Sequence, residues 1–208
     1  MDIEKTTLEI VEKASWYNQW LFTFIKPHLG KRVLEVGCGI GTFTSLLLKR
    51  ERELVAIDVN RDYLDKVNLQ VKSPHLTVMW ADIERNKFSQ DPGVFDTIIC
   101  FNVLEHIEND RKALKNMFNL LKTEGKLLLL VPAGKLLNGS LDHTLGHKRR
   151  YSRRDLMGEI KEMGFEIEHV RFLNWLGAVG WFLNSRVLKR RILSTAQLSL
   201  FNLFARPF

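Results

Sequence analysis

The 208-residue chain is long enough for one domain with a substantial core, and its 45% apolar and 26% charged residues are ordinary for a folded soluble protein. Its two cysteines, Cys38 and Cys100, are far apart in sequence, which argues against a disulfide scaffold or a metal-like pair and for a reducing, cytoplasmic setting. The net charge of +7 lies entirely in the last third: residues 1–133 hold 18 basic and 18 acidic side chains, residues 134–208 hold 13 and 6. That imbalance points to an anionic partner or surface near the C-terminal part, or to a solvated basic face.

In chain order, "MDIEKTTLEI" is charged and has no apolar signal core. "WYNQWLFTFIKPHL" (16–29) predicts an aromatic-rich helix ending near Pro27. Then come five short apolar runs, "RVLEVG" (32–37), "ELVAID" (53–58), "LTVMW" (76–80), "FDTIICF" (95–101) and "GKLLLLVP" (125–132). Such runs read as strands buried on both faces of a parallel sheet. Helix patterns at 41–51, 61–70 and 109–122 separate them, the last with Leu114, Met117, Phe118 and Leu121 at helical spacing. The alternation predicts a doubly wound, mostly parallel, Rossmann-like α/β sheet. A helix over 152–163 with Ser152 as N-cap and a sixth strand, "FEIEHVRF" (165–172), complete it. From Leu173 the pattern changes to basic, aromatic-rich helical segments, so residues 1–172 form the main body and 173–208 a tail of the same domain.

"LEVGCGIGTF" puts Gly37, Gly39 and Gly41 between a strand and a helix, where a ligand can approach the backbone closely. Asp58 ends the second strand, 21 residues after Gly37, where a carboxylate can accept from ribose hydroxyls. Dinucleotide sites share both features. Glu35 discriminates: a carboxylate just before the turn repels a pyrophosphate but favours a ligand carrying an ammonium and a sulfonium. S-adenosylmethionine is such a ligand.

"VLEVGCGIGTFT", "AIDVN", "ADIE" and "FDTIICFNVLEHI" resemble the successive motifs of class I S-adenosylmethionine-dependent methyltransferases, over roughly residues 16–172. The resemblance implies that Glu35 and the backbone at Gly37, Cys38 and Gly39 hold the methionine portion, with Gly41 closing the turn. It implies that Asp58 holds the ribose with Val59 against the adenine, that Asp82 accepts from the adenine amino group with Ile83 on the ring, and that Asn102 and Val103 line the cofactor near the methyl. Asn102 is followed by Val103-Leu104 instead of Pro-Pro and an aromatic, which weighs against amino nitrogens of bases or glutamine as acceptors.

A hydroxyl acceptor benefits from a general base, typically histidine. His106 in "LEHI" and His143 and His147 in "LDHTLGHKRRYSRRDL" (141–156) are the candidates, with His147 leading and His106 second. The latter stretch leaves the fifth strand at the edge where such sheets bind ligands. With "YNQWL" it resembles a bacterial branch of small methyltransferases in which D-x-x-L-G-H-x-R-R-Y recurs. Tyr17, His143, Arg149, Arg150 and Tyr151 are the candidate acceptor-binding residues, the arginines as bidentate grips on a phosphate or carboxylate. The His143/His147 pair lacks a third ligand for a metal site.

"LNWLGAVGWFL" (173–183) is too short to span a bilayer. Trp175, Trp181, Phe182, Phe201 and Phe204 beside Arg186, Lys189, Arg190 and Arg191 resemble an interfacial arrangement for peripheral membrane contact. The alternative is that these aromatics cover the sheet or build a dimer. The sequence thus favours methyl transfer to a small-molecule or lipid/glycan-linked acceptor with an anionic group. An RNA methyltransferase and a non-catalytic cofactor-binding adaptor are the alternatives. Nucleic acid is disfavoured by the apolar tail and the lack of an appended RNA-binding module, and the family's seventh strand has no counterpart in the pattern.

Overall fold

The computed structural model describes residues 8, 12, 14–48, 52–85 and 91–190. These fall into two compact units, one of residues 19–130 and one combining the N-terminal residues to 18 with those from 131 onward. Arg191, Phe201 and Phe204, and the end of the helix pattern at 49–51, lie outside the described residues.

Residues 19–130 hold a five-stranded sheet built from β1 (Arg32–Val36), β2 (Glu53–Asp58), β3 (Leu76–Trp80), β4 (Phe95–Phe101) and β5 (Leu121–Leu130). The strand order is β3-β2-β1-β4-β5 and every pairing is parallel. The winding reverses between β1 and β4, so the C-terminal ends of these two strands flank the switch point where such sheets take ligands. Alternate strand residues point to opposite faces, and both sets are buried. Val33, Leu54 and Ile99 cluster with Ile25 and Leu47, and Ala56 packs with Leu64 and Val67. Leu34, Val36, Val55, Ile57 and Ile98, on the other face, are buried too.

The helices are α1 (Ser15–Ile25), α2 (Thr44–Leu47), α3 (Arg61–Gln70) and α4 (Asp110–Leu120). Asn60 caps α3 by accepting from the Asp62 N–H at 3.0 Å, and Asn109 caps α4 by accepting from the Lys112 N–H at 3.0 Å. The helix pattern read over 109–122 stops at Leu120, because Leu121 already pairs with Phe95 as the start of β5. An irregularity follows, and regular pairing resumes with Lys126 opposite Thr97.

In the second unit, α5 (Ser140–Thr144), α6 (Arg153–Glu162) and α7 (Trp175–Phe182) follow in order, and a π-helical turn, Leu183–Val187, extends α7. Ser152 caps α6 as read from the sequence, accepting from the Asp155 N–H at 3.1 Å. The sixth strand does not form: residues 165–174 carry no strand pairing. Phe165 and Ile167 are half-buried between exposed Glu166 and Glu168, so the period-2 signal exists for four residues. Beyond them Val170 and Phe172 are exposed, and no buried apolar face holds the segment in a ladder.

Candidate active site

The loop after β1 owes its shape to glycine. Gly37, Gly39 and Gly41 have φ of 73, 52 and 92°, a region that costs other residues about 1–2 kcal/mol each. At Gly37 space forbids a side chain as well, since a Cβ would stand 2.2 Å from Val103 Cγ2. The loop is tied to the end of β2 by three bonds. The Gly37 and Cys38 N–H groups donate to the Ile57 carbonyl at 2.8 and 3.0 Å, and the Gly39 N–H donates to Asp58 Oδ2 at 2.9 Å. Asp58 Oδ1 accepts from the Asn60 N–H at 2.8 Å, which closes the turn into α3. Asn102, past β4, takes φ 52° and donates its N–H to the Leu130 carbonyl at 2.9 Å. Asparagine tolerates this left-handed conformation better than most residues.

Two carboxylates therefore stand at one loop. Glu35 is buried and accepts from the Thr44 hydroxyl at 2.7 Å. Burial pushes its pKa up to about 8, the Thr44 hydrogen bond opposes the rise, and the neighbouring Asp58 charge adds to it. Asp58 is also raised by burial, against three backbone N–H donors. The Cys38 thiol is pushed up chiefly by burial and packs with Ala56, Leu64 and Val67, so it fills the core and is no nucleophile. Among the described residues, Val59 is exposed, its carbonyl accepts from Trp80 Nε1 at 2.9 Å, and Arg61 lies 5.5 Å over the Trp80 ring. Asp82 accepts from the Glu84 and Arg85 N–H groups at 3.0 and 3.1 Å, and Ile83 is buried. His106 sits half-buried in a 3-10 turn, Leu104–His106, just past β4, and its N–H donates to the Val103 carbonyl at 2.9 Å.

A second constellation belongs to the other unit. Asp142, on α5, is fully buried. Its Oδ1 faces His147 Nδ1 at 2.9 Å and accepts from Arg150 Nε at 2.6 Å. Its Oδ2 accepts from Trp181 Nε1 and the Gly139 N–H, both at 3.0 Å. These donors outweigh burial and hold the carboxyl down to about 2. The Trp181 ring lies parallel to His147 at 6.4 Å, with the Arg150 guanidinium 5.0 Å over it. A neutral His147 with its Nδ1 proton on Asp142 carries its lone pair on Nε2, the tautomer of a positioned base.

A family model described as a methyltransferase domain matches residues 14–170. The chain belongs to this methyltransferase family. The family's methyl donor is S-adenosylmethionine. The methyltransferase is 30% identical over 98 residues to a ubiquinone biosynthesis O-methyltransferase of Coxiella burnetii, covering 47% of this chain and 42% of the relative. Its counterpart from Glaesserella parasuis is 31% identical over 105 residues, covering 48% and 44%. The chain thus spans less than half the length of these curated relatives. A solved putative methyltransferase from Bacillus halodurans superposes with a TM-score of 0.66 at 19% identity, over 87% of this chain and 81% of its own. An S-adenosylmethionine-dependent methyltransferase from Archaeoglobus fulgidus gives 0.62 at 18%, over 87% and 90%. At these identities the likeness establishes the fold.

In this methyltransferase the residues around the β1 loop fit the cofactor's chemistry. Buried Glu35 and half-buried Asp58, both with raised pKa, gain from a cation beside them, and the same pair opposes a pyrophosphate. Glu35, Gly37, Cys38, Gly39 and Asp58 lie together at the β1 loop and the end of β2. Thr44, which bonds Glu35, and Trp80, which braces Val59, received no role from the sequence. Thr44 is three residues past Gly41, so an inward hydroxyl on the first turn of α2 was the available signal.

The acceptor-side candidates separate. His147 is oriented, whereas Arg150 is buried, with Nε on Asp142 and Nη1 donating to the Ala133 carbonyl at 3.0 Å, and is a structural ion pair instead of an anion grip. Tyr151 is also buried and bridges to Ala133 through its backbone. His143 is exposed and Arg149 half-buried. α5 stops at Thr144, so His143 and His147 do not align along a helix. The hydroxyl of half-buried Tyr17 is raised by burial and bonds the Asn174 side chain. Asp142, which holds His147, and Trp181, which bonds Asp142, received no role at this site from the sequence: the first stands in the quoted motif, the second 39 residues further on in an aromatic-rich helix.

Proposed function

We propose that this methyltransferase methylates a hydroxyl oxygen of a small-molecule or lipid-linked acceptor, with His147 as general base and Asp142 as its positioning residue. The observation that carries the reading is the 2.9 Å contact between His147 Nδ1 and the fully buried Asp142, whose carboxylate stays ionised down to about 2. The activity for which the curated relatives are named, ubiquinone biosynthesis O-methyltransferase, supports an oxygen acceptor and a small molecule.

When bound, S-adenosylmethionine supplies a methyl group on a sulfonium, already activated for in-line displacement. Glu35, just before the Gly37–Gly39 turn, would hold its cationic methionine end. Asp58 would hold the ribose, Val59, Asp82 and Ile83 the adenine, and Asn102 and Val103 the wall beside the methyl. The chain's remaining task is to align and deprotonate the acceptor. His147 would accept the acceptor's hydroxyl proton at Nε2. Asp142 fixes the tautomer and stabilises the imidazolium that results. Tyr17, His143 and Arg149 are the side chains left to recognise the acceptor, Arg149 and His143 any anionic group it bears.

Tritiated-methyl S-adenosylmethionine incubated with phenolic, lipid and RNA fractions tests the reading. Label should enter an organic-soluble product, and His147→Gln should cut kcat by about 10²–10⁴ with cofactor affinity unchanged. Cofactor binding without turnover on any fraction, or label confined to RNA, would overturn it.

A further inference from the structure

The segment Trp175–Val187 is built inside out. Trp181 and Ser185, four residues apart, face inward: the indole donates to Asp142, and the buried Ser185 hydroxyl accepts from the Leu141 N–H at 3.2 Å while its carbonyl accepts from the Ser140 hydroxyl at 3.0 Å. The inward face is thus fixed by polar contacts. On the other side Val179, Phe182, Leu183 and Val187, at i, i+3, i+4 and i+8, are 51, 42, 48 and 58% exposed, followed by Leu188 at 55%. A soluble helix places its apolar stripe toward the core, and this one presents it outward.

The charge around the stripe is of one sign. Arg186, Lys189 and Arg190 are exposed beside it, and the sequence contains no aspartate or glutamate after Glu168. Arg186 is seven residues after Val179 and so falls within the stripe itself. A two-fold dimer through this face would bring that basic cluster against its own copy, because an isologous contact pairs a patch with itself. Residues 191–208 are equally free of acid and supply no counter-charge. Among the described residues no helix is long and apolar enough to cross a membrane. An apolar stripe with basic neighbours on a short helix matches an anionic interfacial layer, where the side chains enter the acyl boundary and the cations meet headgroups.

We propose that the face formed by Val179, Phe182, Leu183, Val187 and Leu188, with Arg186, Lys189 and Arg190, docks on the anionic surface of a lipid bilayer. The docking does not depend on the acceptor and stands apart from the methyl-transfer reading. Flotation of the full chain with phosphatidylcholine vesicles, with and without phosphatidylglycerol, tests it directly. The protein should float with the anionic vesicles only, and rising salt should release it. Replacing all three cations, Arg186→Gln with Lys189→Gln and Arg190→Gln, should weaken binding about a hundredfold. Phe182→Glu with Leu183→Glu should weaken it more than tenfold on the order expected for lost burial of two large side chains. Both variants alter exposed positions, and unchanged thermal melts would confirm that they fold. Equal binding to neutral vesicles, no binding to either, or undiminished binding by the Phe182/Leu183 variant overturns the proposal. A dimer in light scattering that the same variant dissolves would overturn it in favour of a second copy of the chain.

Discussion

Glu35 holds a proton that the unfolded chain would have lost. Its pKa rises from 4.5 to about 8 on burial, so between these values the folded state binds more protons than the unfolded one. Stability of the ligand-free protein therefore falls as pH rises through that window. Glu35→Gln keeps an acceptor for the Thr44 hydroxyl and removes the charge. We expect this variant to melt higher than wild type at pH 8, to lose the downward slope between pH 5 and 8, and to bind S-adenosylmethionine at least tenfold more weakly (~1.4 kcal/mol). Parallel melts and cofactor titrations check it, and a wild-type slope would show that Glu35 ionises without cost. At this scale the sequence was legible where one residue type has one use. A carboxylate before a glycine turn and another at the end of β2 mark their own positions. It was not legible for Arg150, whose sequence neighbourhood is shared by a surface grip and a buried ion pair. Only the fold, by burying Asp142, decides between them.

At the scale of elements, the β1 loop and the turn after β4 fit as lock and wedge. Gly37 leaves the space that Val103 Cγ2 occupies, and both sit at the switch point. Gly37→Ala should cost more than the roughly 1–2 kcal/mol of left-handed backbone strain, because the wedge must also move. Adding Val103→Ala should recover the steric part and leave the backbone part. A double-mutant cycle by denaturant unfolding measures the difference, and strict additivity would mean that the two residues do not interact. The five strands and the cap at Ser152 were readable because hydrophobic runs and capping chemistry are local. The segment 165–172 misled because its alternation is equally local, while a strand needs a neighbour to pair with and a face to bury. The junction of α4 and β5 was blurred for the opposite reason: with no turn residues between Leu120 and Leu121, nothing in the sequence punctuates it.

For the whole molecule, the sheet order places β1 at the centre between β2 and β4, with β3 and β5 at the edges, and of the two flanking strands β4 is the longer. Amides of β1 and β4 should therefore exchange slowest with solvent and those of half-buried β3 distinctly faster, a ranking that hydrogen-exchange mass spectrometry resolves strand by strand. Equal rates would mean that the sheet opens as one piece. The sequence carries the charge asymmetry of the later segments openly, but not which aromatics face out. Trp181 turns inward onto Asp142 and Phe182, the next residue, turns outward, a distinction set by a single 100° step around the helix. That step makes Trp181 a built-in optical reporter. Its ring lies parallel to the imidazole of His147 and under the guanidinium of Arg150, so its emission senses the charge beside it, and its backbone belongs to the helix whose other side bears Phe182. The difference in emission between the protein and a Trp181→Phe variant isolates one indole. Followed through a vesicle titration, it reads whether what happens on the outer face reaches the indole one residue away and the buried aspartate that it bonds.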